Sequence, residues 1–460
     1  MTTTDLRPTP GSGDTVPHLG TTPNGPFVRI VLGALAVGAL GAAALTLGVF
    51  PGANEHVTTG VALLAFAAGW FVLAALTSRM TSSPQRWAYV PAAFLAVAGL
   101  LLIGIAPGND GMTAATWVWP PALLGVVVWS VLHARSSMPG RTRWLLYPVF
   151  GALALASLGA LVENIALTRD AGTRGMAGAL YDVGGHRLHM TCTGTGGPTV
   201  VLESGLGGSS PLWAPIAGAV SGTTRVCAYD RAGTGWSDEA SGPQDSQAVV
   251  TDLHRLLDVA GEHGPYVLAG HSVGGVYALT FAARYPDQVA GLVLLDSASP
   301  HQFTVLPAYE GVYAMLTRLY GVAPSLARLG LGQVIPALSA NEVPGQAGKQ
   351  AGAFATRPRD ARGASDEVST YRRSFTQAQA LTSFGSKPLV VVSATDTLAD
   401  TPGWAAAQQQ LAALSRNADQ RTVRSSHGGL LDHPASYPSS VAAITDVVRA
   451  ARTGAAVGAP

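Results

Sequence analysis

The first third of this chain contains five long apolar stretches, and they restrict its fold more than any other feature. They cover residues 27–50, 59–77, 87–106, 113–133 and 144–167. Each is close to the ~20 residues that a helix needs to cross the hydrocarbon core of a bilayer. Short connections join them, which argues against helices buried inside a soluble core. The composition agrees: 48% of residues are hydrophobic and only 12% charged, a split that suits a membrane protein. Pro91 and Pro120-Pro121 are tolerable in a bilayer, and the pair is predicted to kink the fourth helix.

The arginines give an orientation. Arg7 and Arg29 precede or open the first stretch, and Arg79 and Arg86 lie between the second and third. Arg135, Arg141 and Arg143 lie between the fourth and fifth, while connections 51–57 and 107–112 contain no Lys or Arg. The positive-inside rule then predicts a cytoplasmic N-terminus in the cell membrane, and five crossings put everything after residue 167 outside. Arg169 and Arg174 run against this vote. Trp87, Trp117, Trp119 and Trp144 suit interfacial anchors. Glu163, inside the fifth stretch, is expected to reach for interfacial water beside Asn164; an ionisable group in a span is otherwise a functional candidate. Residues 1–25, rich in Thr, Pro and Gly, read as a disordered tail, so the membrane region is 26–168.

From about residue 179 to 452 the pattern changes to short apolar runs separated by turn signals. Strands are predicted at 181–183, 187–192, 199–202, 225–229, 266–269, 291–295, 389–393 and 421–424. Between two of them, 246–260 places Val250, Leu253, Leu257 and Ala260 on one helical face. Such alternation predicts a doubly wound, mostly parallel sheet. Within it stands the chain's only G-x-S-x-G, Gly270-His271-Ser272-Val273-Gly274. A strand precedes it and a helix follows, the context in which a sharp turn lifts a serine hydroxyl above a sheet. Ser272 is therefore the candidate nucleophile.

Other classes of function find little support. A formal net charge of +1 without a basic run excludes a nucleic-acid surface. Cys192 and Cys227 form no C-x-x-C, and His186 and His189 lack evident partners. No metal and no organic cofactor is expected.

Three motifs together resemble the α/β-hydrolase fold family, in its branch of serine esterases and lipases, over about residues 180–452. One is the turn at Ser272. Another is Asp230-Arg231-Ala232-Gly233-Thr234-Gly235-Trp236-Ser237, similar to a D-R-x-G-x-G-x-S loop expected to shape one wall near the site. The third is Glu203-Ser204-Gly205-Leu206-Gly207-Gly208, where the family carries His-Gly-x and this chain has Ser204 instead of histidine. The resemblance implies backbone N–H groups of Leu206 and Val273 as an oxyanion hole.

It also implies the chain order serine, acid, histidine. Asp396 follows the apolar run 389–393 and His427 follows the last strand, so they are the expected acid and general base. Asp296, Asp400 and His433 compete for these roles. An insertion at 301–385 is expected to form a helical cap, with 340–362 mobile. If the family's strand order holds, Cys192 and Cys227 lie on neighbouring antiparallel strands, and a disulfide between them is an open alternative to two free thiols. The implied chemistry is hydrolysis of a small-molecule ester, apolar or lipid-derived, beside the bilayer. Amidase, thioesterase and acyltransferase chemistry use the same residues. A rival of another class is a membrane sensor or transport component whose second half only binds ligand.

Overall fold

The computed structural model describes residues 25–138, 140–170, 175–335 and 340–458. The expected tail up to residue 24, with Arg7, and also Arg174 lie outside the described residues. The N-terminal part is built from α1 (Gly25–Ala43), α2 (Glu55–Met80), α3 (Tyr89–Ile105), α4 (Trp119–Ser137) and α5 (Tyr147–Asp170). With their flanking turns they form five helices long and apolar enough to cross a membrane: Gly25–Val49, Glu55–Met80, Arg86–Ile105, Asn109–Ser137 and Thr142–Arg169. Small residues let them approach closely: a Cβ on Gly99 would lie 2.7 Å from the Gly60 carbonyl. Trp70 stacks on Phe150 with centroids 5.7 Å apart and meets Trp87 edge-on at 5.9 Å.

Two expectations for this part change. The fourth stretch is broken rather than kinked. A short helix, Asn109–Ala115, ends before α4, and Pro120-Pro121 sit in the first turn of α4, where a missing N–H costs no helical bond. Glu163 and Asn164 are each only 2% exposed, so they are buried within the protein and do not reach for interfacial water.

The second part is an eight-stranded sheet in the order β1-β2-β4-β3-β5-β6-β7-β8. Its strands are β1 (Ala179–Asp182), β2 (Arg187–Thr193), β3 (Val200–Glu203), β4 (Val226–Tyr229), β5 (Tyr266–His271), β6 (Val289–Leu295), β7 (Leu389–Ala394) and β8 (Ala418–Val423). The β1/β2 and β2/β4 pairs are antiparallel and the others parallel. Helices cover both faces, as an almost wholly apolar central sheet requires. Val200, Leu202, Val267 and Val293 pack on α6 (Ala214–Val220) and α13 (Tyr437–Thr453). Val201, Leu268, Leu292 and Val391 pack on α7 (Ser246–Val259) and α8 (Gly274–Arg284), with α12 (Trp404–Ala412) beside them.

Between β6 and β7 stand α9 (Tyr309–Arg328), α10 (Gly345–Thr356) and α11 (Pro358–Ala378). The segment expected to be mobile is thus largely helical. Its anchor is Phe354, 1% exposed, which meets Trp236 edge-on at 4.8 Å. These helices also reach the N-terminal part. Arg328, at the end of α9, ion-pairs with the fully buried carboxylate of Glu55 at the start of α2, and donates to Asn109 Oδ1 at 2.9 Å and Thr113 Oγ1 at 3.2 Å. Arg362 Nη1 donates to the same Glu55 at 3.2 Å. Removing one member of such a buried pair leaves the others uncompensated, at a cost of about 3–5 kcal/mol.

Cys192 and Cys227 stand opposite each other in the β2/β4 ladder and are joined by a disulfide. The bridge closes a loop with a sequence separation of 35, which corresponds to about 3–4 kcal/mol of stabilisation. Alkylation of the native, unreduced protein is expected to find neither thiol. Denaturation of Cys192→Ala/Cys227→Ala should show a loss of that order, and two alkylatable thiols in the native protein would disprove the bridge.

Candidate functional site

Strand β5 is buried along its whole length and stops at His271 because the next residue turns. Ser272 has φ of +55°, a strained value for a residue with a side chain. The corner is too tight for side chains on either flank. A Cβ on Gly270 would come within 2.6 Å of the Gly275 nitrogen, and one on Gly274 would overlap the Glu203 carbonyl. Backbone bonds pin the turn to the end of β6: Ser272 N–H donates to Leu295 O at 3.2 Å, and Ala298 N–H donates to Ser272 O at 2.9 Å. Ser272 is half-buried, with the helix α8 starting two residues later.

Asp296 follows β6 directly, fully buried and with φ of +43°. His427 Nδ1 lies 2.7 Å from its Oδ2. The same carboxylate accepts from Thr397 Oγ1 at 2.5 Å, Trp404 Nε1 at 2.8 Å and the Ala394 N–H at 3.2 Å. Burial alone would raise its pKa. The bonds from His427, Thr397 and Trp404 outweigh burial and hold it below the ordinary value. A group anionic in neutral solution thus faces one nitrogen of His427.

The expectation that Asp396 holds His427 is corrected here. Asp396 is exposed in the first turn of the short helix Thr395–Asp400, and its N–H is tied to Ser425 O at 3.2 Å. Asp400, at the end of that helix, is exposed as well. Both candidate acids follow neighbouring parallel strands, but only Asp296 remains beneath the imidazole. His433, the competing base, faces Glu342 at 3.8 Å on the surface.

His427 is held beside the serine turn by His271. The His271 Nε2–H donates to His427 O at 3.0 Å, and the two rings lie 4.5 Å apart. Burial, reinforced by the neighbouring His427, pushes the His271 pKa down to about 3, so it is neutral at ordinary pH. Sequence reading assigned His271 no role, although its place beside Ser272 marked it.

The β3 loop approaches the same corner from the other side. A Cβ on Gly205 would lie 3.1 Å from Ser272 Cβ, so the loop backbone passes directly over the turn. Leu206 is half-buried and Val273 is 2% exposed. Ser204, standing where histidine was expected, accepts from Trp213 Nε1 at 3.0 Å. Arg231 holds the loop as a fork: Nη1 donates to Ser204 O at 2.8 Å and Nη2 to Gly205 O at 2.7 Å. Its Nε bonds Glu367 of α11 at 2.8 Å, whose other oxygen accepts from the Gly207 N–H at 3.3 Å. Neighbouring Asp230 is structural. It binds His189 Nδ1 at 2.9 Å, the Ser210 N–H at 2.6 Å and the Trp236 N–H at 3.1 Å. His189 therefore has a partner, 41 residues away, that its strand neighbourhood did not reveal. His186 has one too, Asp252 at 3.1 Å.

Beneath the loop, Glu203 is fully buried and accepts from Tyr229 OH at 2.8 Å. Burial, opposed by Arg231 and Tyr229, pushes its carboxyl from the ordinary 4.5 up to about 7. A carboxyl raised on folding binds more protons folded than unfolded between these values, so its contribution to stability falls as pH rises through that window. Glu203→Gln is expected to flatten the descent in Tm between about pH 4.5 and 7, read by thermal denaturation of both proteins. An unchanged pH profile would contradict this assignment.

Comparison with known proteins agrees with this architecture. The family model described as alpha/beta hydrolase fold matches residues 198–434, just over half of the chain. The putative carbamate hydrolase RutD of Azorhizobium caulinodans is 34% identical over 109 residues, 24% of this chain and 40% of that protein. The uncharacterized protein YbdG of Bacillus subtilis is 28% identical over 171 residues, 35% of this chain and 53% of that one. The chain thus matches about half or less of the length of these curated relatives. Among solved structures, the enol-lactonase from Burkholderia xenovorans LB400 aligns with TM-score 0.43 and 20% identity, over 59% of this chain and all of that one. With the sheet order, the serine turn and the matched span together, the chain belongs to the alpha/beta hydrolase fold family.

Proposed function

We propose that this protein is a membrane-anchored serine hydrolase that cleaves carboxylic esters, apolar or lipid-derived, through an acyl-serine intermediate. The observation that carries the reading is the short bond from His427 Nδ1 to the buried Asp296 carboxylate, 2.7 Å, beside the strained turn at Ser272. With Nδ1–H donating to Asp296, Nε2 is the free base of the imidazole. Ser272 Oγ attacks the acyl carbon and its proton passes to His427 Nε2. The N–H groups of Leu206 and Val273 receive the developing oxyanion. Among the described residues neither N–H donates to a backbone carbonyl, which leaves both available. The leaving alcohol takes the proton from His427. Water then attacks the acyl-enzyme, giving its proton to His427, which passes it to Ser272 Oγ as the acyl–oxygen bond breaks and the acid leaves.

Two observations support an anchor that holds this site outside the cell. Arg79, Arg86, Arg135 and Arg143 flank the connections at one end of the five helices, and the sheet follows the other end of α5. The disulfide suits an oxidising compartment. Carbamates enter the substrate question because relatives named putative carbamate hydrolases match part of this chain in sequence, and a carbamate presents the same kind of acyl carbon to the serine.

A fluorophosphonate probe is expected to label Ser272 in the wild type, to lose all labelling in Ser272→Ala and to label His427→Ala weakly. Failure of the folded wild type to label would favour a ligand-binding module. With a panel of acyl esters and carbamates, Asp296→Asn is expected to lower kcat by about 10³–10⁴-fold. Asp396→Asn should stay within about threefold of wild type. The reverse ranking would restore Asp396 as the acid.

A further inference from the structure

Helix α9 is apolar on two faces. Tyr309, Pro324 and Ala327 are buried, and Tyr313, Leu316 and Tyr320 pack on the core beneath the sheet's insertion. A second set, Val312, Met315, Leu319 and Leu326, is 39, 51, 54 and 43% exposed. Their spacing of 3, 4 and 7 residues puts them in one narrow stripe of the helix. Leu331 and Val334 continue the exposed apolar surface past its end, at 38 and 68%. An element with one face in a protein core and another bare apolar face needs a second apolar environment.

What lies beside α9 identifies that environment. Arg318 Nε donates to Leu47 O near the end of the first membrane-length helix at 3.0 Å. Ser325 Oγ lies 2.7 Å from Thr59 Oγ1 in α2, and Arg328 pairs with Glu55 one turn earlier. A Cβ on Gly330 would lie 2.9 Å from the Gly159 carbonyl, and Gly159 is ten residues before Arg169, where the fifth such helix ends. At 1.5 Å per residue this is roughly 15 Å below that end. Exposed apolar residues of the spans flank these contacts: Leu47 and Val49 on one side, Leu158 and Val162 on the other.

We infer that α9 lies in the outer leaflet, with its Val312–Leu326 stripe against acyl chains, so that the helix beside the hydrolase core also borders the lipid. The occupant of the stripe is the bilayer, because the stripe continues the apolar surface of helices that cross it. Arg318 fits this position, its stem along the apolar side and its charge on the carbonyls of Leu47 and Ala314. The inference rests on reading the five helices as spans, and it gives the proposed hydrolase direct access to lipid-borne esters.

The test uses the full chain in nanodiscs. The described cysteines are disulfide-bonded, so one added thiol takes a fluorophore specifically. Labels are placed at Leu319→Cys, at Leu101→Cys on the exposed side of α3, and at Val259→Cys on the hydrolase surface. A nitroxide lipid is expected to quench position 319 as strongly as 101 and at least about threefold more than 259, with iodide showing the opposite order. Quenching of 101 but not 319 would overturn the inference and leave the spans standing. Absence of lipid quenching at 101 would overturn both. Shielding of 319 from lipid and iodide alike would mean a protein partner on the stripe, and would equally overturn it. As a second readout, Met315→Asp/Leu319→Asp is expected to lose about tenfold in kcat/KM on a long-chain ester held in the bilayer, with a soluble acetate ester unaffected. An equal loss on both substrates would overturn the link to lipid access. A wild type inactive on the soluble ester would count against the hydrolase reading alone.

Discussion

The backbone corner at Ser272 is the constraint around which the second part of this protein is organised. Three chain segments meet there with no room to spare: the end of β6, the β3 loop and the start of α8. The glycines at 270 and 274 are present because any side chain would collide with backbone. That crowding stores strain at the serine and gives it a single position. It also fixes where the partners have to be. Asp296 is one residue past the strand whose last carbonyl, Leu295 O, accepts from the Ser272 N–H. The histidine that reaches Asp296 is held by the residue just before the serine. Asp296, His427 and Ser272 are therefore positioned through contacts made by one another's chain neighbours.

The cap helices join this corner to the membrane-length helices. Arg231 grips two carbonyls of the β3 loop and is itself neutralised by Glu367 of α11. Five residues earlier on α11, Arg362 reaches Glu55 at the start of α2, where Arg328 of α9 also ends. These are buried charges satisfied by one another, and buried groups of this kind select one arrangement because each alternative leaves a charge unpaired. Helix α11 thus lies between the Glu55 carboxylate and the loop over Ser272.

Much of this was legible in the sequence because it is encoded locally. The serine turn, the strands and the five apolar stretches each rest on spacings of a few residues, and all appear in the structure within a turn or so of the expected bounds. Pro120 illustrates the limit of such reading: a proline pair within an apolar run signals either a kink or a helix start, and only the short helix before it decides. The carboxylate partner of His427 was harder to read. Asp296 and Asp396 each follow an apolar parallel strand, and their immediate contexts do not separate them. What separates them is Trp404 and Thr397, which converge on Asp296 from more than a hundred residues away. His189 was opaque for the same reason, since Asp230 belongs to a different strand end.

The sequence alone determined which segments are long enough to cross a bilayer, which segments alternate as strands and helices, and which serine sits on a sharp turn. Periodicity, length and the steric demands of glycine act between near neighbours, so they can be read along the chain. The tertiary structure alone decided which carboxylate meets His427, which loop carbonyls Arg231 holds, and that the cap is clamped to the membrane-length helices through Glu55. Those choices depend on distance in space, on burial that makes an unpaired charge costly, and on donors from remote segments arriving at one atom.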